Sequence, residues 1–154
     1  MKKIAFAPAL RVPTSTKNAF VLDGSVAASW FFINERDPYA IKVRESLPKA
    51  EAVVPSLWAL EVTNAMLIGE RKGRTAIHDI MEFIGLLDSF RITVDEESWS
   101  NAFGNILVLA HSFRLTTYDA AYLELALRRG LPLATLDNEL KKAAKAAGVK
   151  LFKP

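Results

Sequence analysis

Two apolar runs, each broken off by an aspartate, constrain the fold of this chain more than any other feature. Ala19-Phe20-Val21-Leu22 stops at Asp23, and Leu131-Pro132-Leu133-Ala134-Thr135-Leu136 stops at Asp137. Short runs with little that is polar on either face suit strands buried on both sides, as in a parallel sheet covered by helices. The pattern elsewhere predicts further strands over 52–54, 91–94 and 149–152. Helices are expected over 25–32, from Pro38, over 57–72 and 74–89, from Asp95 or Glu96 to His111, and over 117–129 and 138–147. Proline at a first helical turn and Gly73, Gly130 and Gly148 at helix ends set these limits. Strands alternating with helices of this length need crossover connections. The fold class is therefore α/β, a three-layer α/β/α arrangement around a central, mainly parallel sheet. Such sheets bind ligands beyond the carboxyl ends of their strands. Asp23 and Asp137, far apart in sequence, are expected to meet at that edge.

With 154 residues, 51% of them hydrophobic, the chain suits a single domain over 18–154 with a sizeable core. Residues 1–17 carry Lys2, Lys3, Arg11 and Lys17 with no acid, and are interrupted by Pro8 and Pro13, so they read as a loose basic leader. The stretch from Ile4 to Leu10, broken by Pro8, is too short for the apolar core of a signal peptide, and no run is long enough to span a membrane. The absence of cysteine excludes a disulfide scaffold and a thiolate zinc site and agrees with a reducing cytoplasm. Any metal ligands must be oxygen or histidine. A formal charge of +3 favours an anionic partner, nucleic acid among them.

Asp23, Glu61, Asp119 and Asp137 stand where a buried strand or apolar helix has no use for a charge. A lone buried carboxylate costs several kcal/mol or is forced neutral, whereas several around a divalent cation stay ionised. Taken singly, Asp23, Asp119 and Asp137 read better as helix caps or first-turn acids, and Thr116-x-x-Asp119 resembles a capping box. Glu61 resists that reading. It lies within Leu57-Trp58-Ala59-Leu60-Glu61-Val62-Thr63-Asn64-Ala65-Met66-Leu67-Ile68, apolar around nearly its whole circumference and so expected to be buried. Asn64, three residues on, shares its face.

Four segments carry a family resemblance: Val21-Leu22-Asp23-Gly24-Ser25-Val26-Ala27, Val54-Pro55-Ser56-Leu57-Trp58-Ala59-Leu60-Glu61-Val62-Thr63-Asn64-Ala65, Leu115-Thr116-Thr117-Tyr118-Asp119-Ala120-Ala121-Tyr122 and Leu133-Ala134-Thr135-Leu136-Asp137. In order and spacing they resemble the PIN domain family, and within it the VapC-type toxins of toxin–antitoxin pairs, over residues 19–153. Gly24 departs from the pattern, which more often has alanine, serine or threonine there. The resemblance implies a PIN-like fold and a Mg²⁺- or Mn²⁺-dependent endoribonuclease that cleaves RNA phosphodiester bonds with metal-activated water, leaving 5′-phosphate and 3′-hydroxyl ends. It maps the family's acids onto Asp23, Glu61, Asp119 and Asp137, all of them catalytic and metal-site positions, and its polar supporting positions onto Ser25, Asn64 and Thr135. It further implies a homodimer and a cognate antitoxin whose tail covers the site and an apolar groove of the first helices. Hard oxygen ligands independently suit Mg²⁺ or Mn²⁺.

Three other chemistries compete. A histidine-driven nuclease has only His78 and His111, on amphipathic helices away from the strand ends. An aspartyl-phosphate phosphotransferase would use an aspartate after the first strand, but its usual second acid is Ser25 here. A non-catalytic binding or regulatory module would keep the fold without turnover. Lys141 and Lys142, next to Asp137, are candidates for holding RNA; Arg71, Lys72, Arg74, Arg128, Arg129 and Lys145 equally suit solvated helix ends. Trp30, Trp58 and Trp99 are expected in the core.

Overall fold

The computed structural model describes residues 18–154, so the basic leader at 1–17 lies outside the described residues. The chain runs β1 (Ala19–Leu22), α1 (Gly24–Phe31), a 3-10 turn (Ile33–Glu35), α2 (Pro38–Ser46), β2 (Glu51–Pro55), α3 (Trp58–Arg71) and α4 (Ile77–Asp88). It continues with β3 (Ile92–Asp95), α5 (Ser98–Asn101), a π-helical stretch (Ala102–Ile106), α6 (Leu107–Phe113), α7 (Thr117–Arg129), β4 (Leu133–Ala134) and α8 (Asn138–Ala146). The four strands form one parallel sheet in the order β3-β2-β1-β4. Phe20, Val21 and Leu22 are wholly buried, as a central strand covered on both faces requires. The three-layer α/β/α expectation therefore holds.

Chain order explains where a site can lie. From β1 the sheet grows through β2 to β3 on one side, and then the chain returns to add β4 on the other. The strand order thus reverses at the β1–β4 junction, the place where a parallel sheet opens a crevice at its carboxyl edge. Register fixes the junction tightly. Val21 pairs with Leu133, and the Asp23 N–H donates to the Ala134 carbonyl at 2.9 Å. Helix α7 lies against β1, β2 and β4, and every residue from Ala120 to Ala126 is buried. Thr116 caps its start and Gly130, at φ +62°, closes its end in the left-handed conformation that glycine adopts without strain. Truncating a fully buried side chain in this layer, Leu125→Ala for example, costs about 2–5 kcal/mol.

Several expectations need correction. The single helix expected from Asp95 or Glu96 to His111 is three pieces, because Gly104 (φ −118°, ψ −108°) leaves helical geometry and β3 extends to Asp95. The strand expected at 131–136 pairs only over Leu133–Ala134, since Pro132 has no N–H to give and Thr135 turns toward the site. The last strand, expected at 149–152, is a single bridge between Leu133 and Leu151. Helix α3 is not buried all round: Trp58, Val62, Met66 and Gly69 face the core, while Leu60 is 76% exposed and Asn64 and Ile68 lie outward. Trp30 and Trp58 are core residues as expected, but Trp99 is 79% exposed, edge-on to an equally exposed Phe103.

Candidate active site at the β1–β4 crevice

Asp23 follows the last residue of β1 and occupies the position before α1, yet its side chain does not cap that helix. Only 3% exposed, its Oδ2 instead accepts the hydroxyls of Thr135, at 2.6 Å, and Ser25. Each hydroxyl has a second task. Ser25 Oγ accepts the Leu136 N–H at 3.1 Å and Thr135 Oγ1 accepts the Asp137 N–H at 3.0 Å. Two small polar side chains thus fasten the ends of β1 and β4 together through one carboxylate. The cap explanation fails for Asp23. It holds for Asp137, whose Oδ1 accepts the Leu140 N–H at 2.7 Å.

Glu61 reaches the same place from the second turn of α3. Half-buried, its Oε2 accepts the hydroxyl of Tyr122 at 2.5 Å, and Tyr122 is wholly buried on α7. One turn before Tyr122, Asp119 Oδ2 accepts the Thr116 hydroxyl at 2.7 Å, and Thr116 Oγ1 caps α7 by accepting the Asp119 N–H at 3.1 Å. Gly24 completes the wall. A Cβ there would stand 3.5 Å from the Tyr122 hydroxyl and 3.6 Å from Glu61 Oε2, ordinary contact, so an alanine would fit.

Electrostatics tie the acids together. Burial pushes the Asp23 carboxyl up from its ordinary value; the Ser25 and Thr135 hydroxyls oppose the rise and the charge of Asp119 adds to it. Burial likewise raises Glu61 against the Tyr122 hydrogen bond, and the charges of Asp23 and Asp119 raise it further. Asp23, Glu61 and Asp119 are therefore within electrostatic reach of one another. Burial and the adjacent Glu61 hold the Tyr122 phenol far above its usual range, so it remains a hydrogen-bond donor. Among the described residues no three acidic or histidine side chains converge as a ready-made metal cage. Mg²⁺ does not need one, since one or two carboxylates with waters and substrate phosphate oxygens complete its octahedron. The hard oxygen donors present fit that mode.

Asn64 shares the direction of Glu61 along α3 but is exposed one turn on. Lys141 Nζ donates to the Leu136 carbonyl at 3.2 Å, and Lys142 pairs with Glu139 at 2.7 Å. His78 is a surface residue beside Asp79, and His111 is also exposed. Arg128 is engaged in ion pairs. Its guanidinium holds Asp95 Oδ1 at 2.8 Å and Glu124 Oε1 at 2.9 Å, two carboxylates that are almost wholly buried, while Arg129 reaches Asp95 Oδ2 at 3.0 Å. Burial pushes Asp95 up, but the Arg128 hydrogen bonds and charge outweigh it and leave Asp95 below its ordinary value. Sequence reasoning missed Tyr122 as a site residue. The available signal was its place three residues after Asp119, on the same face of an otherwise apolar helix.

The fold is a parallel three-layer α/β/α sheet with acidic side chains at its switch point. The PIN domain model matches residues 20–146, most of the chain, and the chain belongs to that family. Among solved structures it is similar to PAE2754 from Pyrobaculum aerophilum, at 24% identity and a TM-score of 0.61 over 82% of this chain and 86% of that one. It is also similar to a chain of VapBC2 from Rickettsia felis, solved bound to a DNA fragment from their promoter, at 12% identity and a TM-score of 0.57 over 87% and 97%. At these identities the likeness is one of fold. No curated protein matches the chain.

Proposed function

We propose that the protein is a Mg²⁺- or Mn²⁺-dependent endoribonuclease, the toxin of a toxin–antitoxin pair. The observation that carries this reading is that Asp23, Glu61 and Asp119, from three separate elements, act on one another electrostatically, while burial raises the Asp23 and Glu61 carboxyls above their ordinary values. Structural charges are normally given a partner of opposite sign, as Asp95 is. Among the described residues, the side chains bonded to Asp23 and Glu61 are hydroxyls rather than cations. Asp23 and Asp119 would hold the cation directly, with Glu61 and Asp137 reaching it or a second ion directly or through water. When bound, the ion supplies charge neutralisation at the phosphoryl oxygens and acidifies the attacking water.

The remaining steps belong to the chain. Ser25 and Thr135 fix the Asp23 carboxylate so that its position survives substrate entry, a supporting role that commonly governs metal affinity. Tyr122 clamps one oxygen of Glu61 and leaves the other to orient the water and take its proton. Asp137 keeps its cap on α8 while its backbone N–H holds the Thr135 hydroxyl in line.

Partners follow the same reading. The VapC-like motifs and the VapBC2 neighbour favour a cognate antitoxin in the cytoplasm. The outward apolar side chains of α3 and α4, Leu60, Ile68, Ile77 and Met81, offer a surface for it. The exposed Trp99 and Phe103 suit burial in a homodimer. No helix among the described residues is long and apolar enough to cross a membrane. A second reading, a PIN-fold binding module without turnover, is favoured by the lack of a ready-made carboxylate cage among the described residues. Incubating purified, antitoxin-free protein with RNA, with Mg²⁺ or Mn²⁺ and with EDTA, decides between them. Metal-dependent products with 5′-phosphate ends, absent for Asp23→Asn, are expected; intact RNA in every reaction would refute the nuclease reading.

A further inference from the structure

Apart from the acids, a groove of about 970 Å³ runs along the β4 edge of the sheet, lined by Lys141, Lys142, Lys145, Lys150 and Lys153 together with Pro132, Val149 and Leu151. Its shape follows from the fold. Strand β4 is an edge strand, and only the Leu133–Leu151 bridge continues the sheet beyond it, so the strand-poor C-terminal segment leaves a trough between itself and α8. Helix α8 buries Leu140, Ala143 and Ala144, which turns Lys141 and Lys145, one helical turn apart, toward that trough.

We propose that this groove is a track for single-stranded RNA leading to the candidate active site, an inference that rests on the ribonuclease reading. Charge complementarity identifies the occupant. Five lysines line the groove, and among the described residues the one carboxylate paired to any of them is Glu139, on Lys142. A polyanion satisfies such a row where scattered counterions do not. The apolar floor selects a single strand, because only unpaired nucleotides turn base and ribose toward such a surface while their phosphates meet the amines. Position supplies the connection. The Lys141 ammonium is bonded to the carbonyl of Leu136, the residue before Asp137, so one end of the groove opens beside the acids.

The test is binding of a fluorescein-labelled single-stranded RNA to the full chain in EDTA, which withholds metal and so prevents cleavage, across a salt series. The variant Lys145→Gln/Lys150→Gln/Lys153→Gln alters exposed side chains only. Three lost phosphate contacts, at about 0.7 each for a single strand, should flatten the slope of log K against log salt by about 2. Extrapolated from 1 M salt, that slope change weakens binding by about a hundredfold at 0.1 M. The Lys→Arg version of the same triple variant should restore the slope. An unchanged slope in the Gln variant overturns the proposal. So does a variant that loses binding to an acidic peptide such as poly-glutamate while RNA binding stays the same, which would assign the groove to a protein segment. Failure of the ribonuclease reading shows separately, as wild-type protein that leaves RNA intact with Mn²⁺ whatever the slope.

Discussion

Thr135→Val tests the site at its narrowest point, because it removes one hydroxyl and almost no volume. Thr135 is 1% exposed, and its Oγ1 donates to Asp23 Oδ2 at 2.6 Å while accepting the Asp137 N–H at 3.0 Å. A hydrogen bond to a charged group contributes about 1.5–3 kcal/mol, and because Ser25 still serves the same oxygen we expect a loss of about 2 kcal/mol. For a chain of this length that lowers Tm by about 4–8 °C. The pH dependence has a definite sign. The two hydroxyls hold the Asp23 carboxyl down against burial, so losing one lifts its folded-state value further above 3.8. A carboxyl raised in the folded state costs stability as pH climbs from 3.8 through its folded-state value, so the deficit grows with rising pH and closes as pH falls toward 3.8. Thermal denaturation of metal-free protein across pH reads this. Cleavage per folded molecule, titrated with Mn²⁺, should fall about 10- to 100-fold with a higher half-saturating metal concentration. Thr135→Ser, which keeps the hydroxyl, should recover cleavage. Near-normal cleavage and unchanged metal dependence in Thr135→Val would refute the claim that this hydroxyl positions Asp23.

Glu61→Gln keeps shape and removes a charge that burial and two neighbouring acids disfavour, so metal-free stability should hold or rise while cleavage falls by about a hundredfold or more; near-normal cleavage per folded molecule would remove Glu61 from the site. Mg²⁺ or Mn²⁺ at a hundred times its dissociation constant should stabilise the wild type by about 2.7 kcal/mol, and Asp23→Asn or Asp119→Asn should abolish that gain in a melting assay. Equal metal stabilisation in wild type and variants would defeat the ligand assignment. Arg128→Met leaves the buried Glu124 without its arginine and Asp95 with Arg129 alone, and should cost about 3–5 kcal/mol in urea denaturation while cleavage per folded molecule stays normal. Lost cleavage at unchanged stability would return Arg128 to the substrate.

Local chemistry determined much of this protein in advance. The apolar runs before Asp23 and Asp137 specified buried strands, glycines and caps set the ends of α7 and α8, and alternation of strand and helix dictated a parallel sheet with its carboxyl edge as the meeting place. These are decided by a few neighbouring residues, and so they are legible in order along the chain. Which side of each element would be covered is a different kind of property. Helix α3 reads as apolar all round, yet one side packs on the core and Leu60 on the other faces outward, because only the arrangement of layers says where the domain ends. Trp99 carries a core residue's chemistry on a surface for the same reason. Arg128 reads as a solvated helix-end charge, yet it joins Asp95 and Glu124 in a buried ion network once β3 and α7 are brought together. The same holds at the site. The sequence supplied its acids, but the Tyr122–Glu61 clamp and the Ser25–Asp23–Thr135 bridge join residues 61 and 112 positions apart, and their geometry exists only after the crossover connections have closed the β1–β4 crevice.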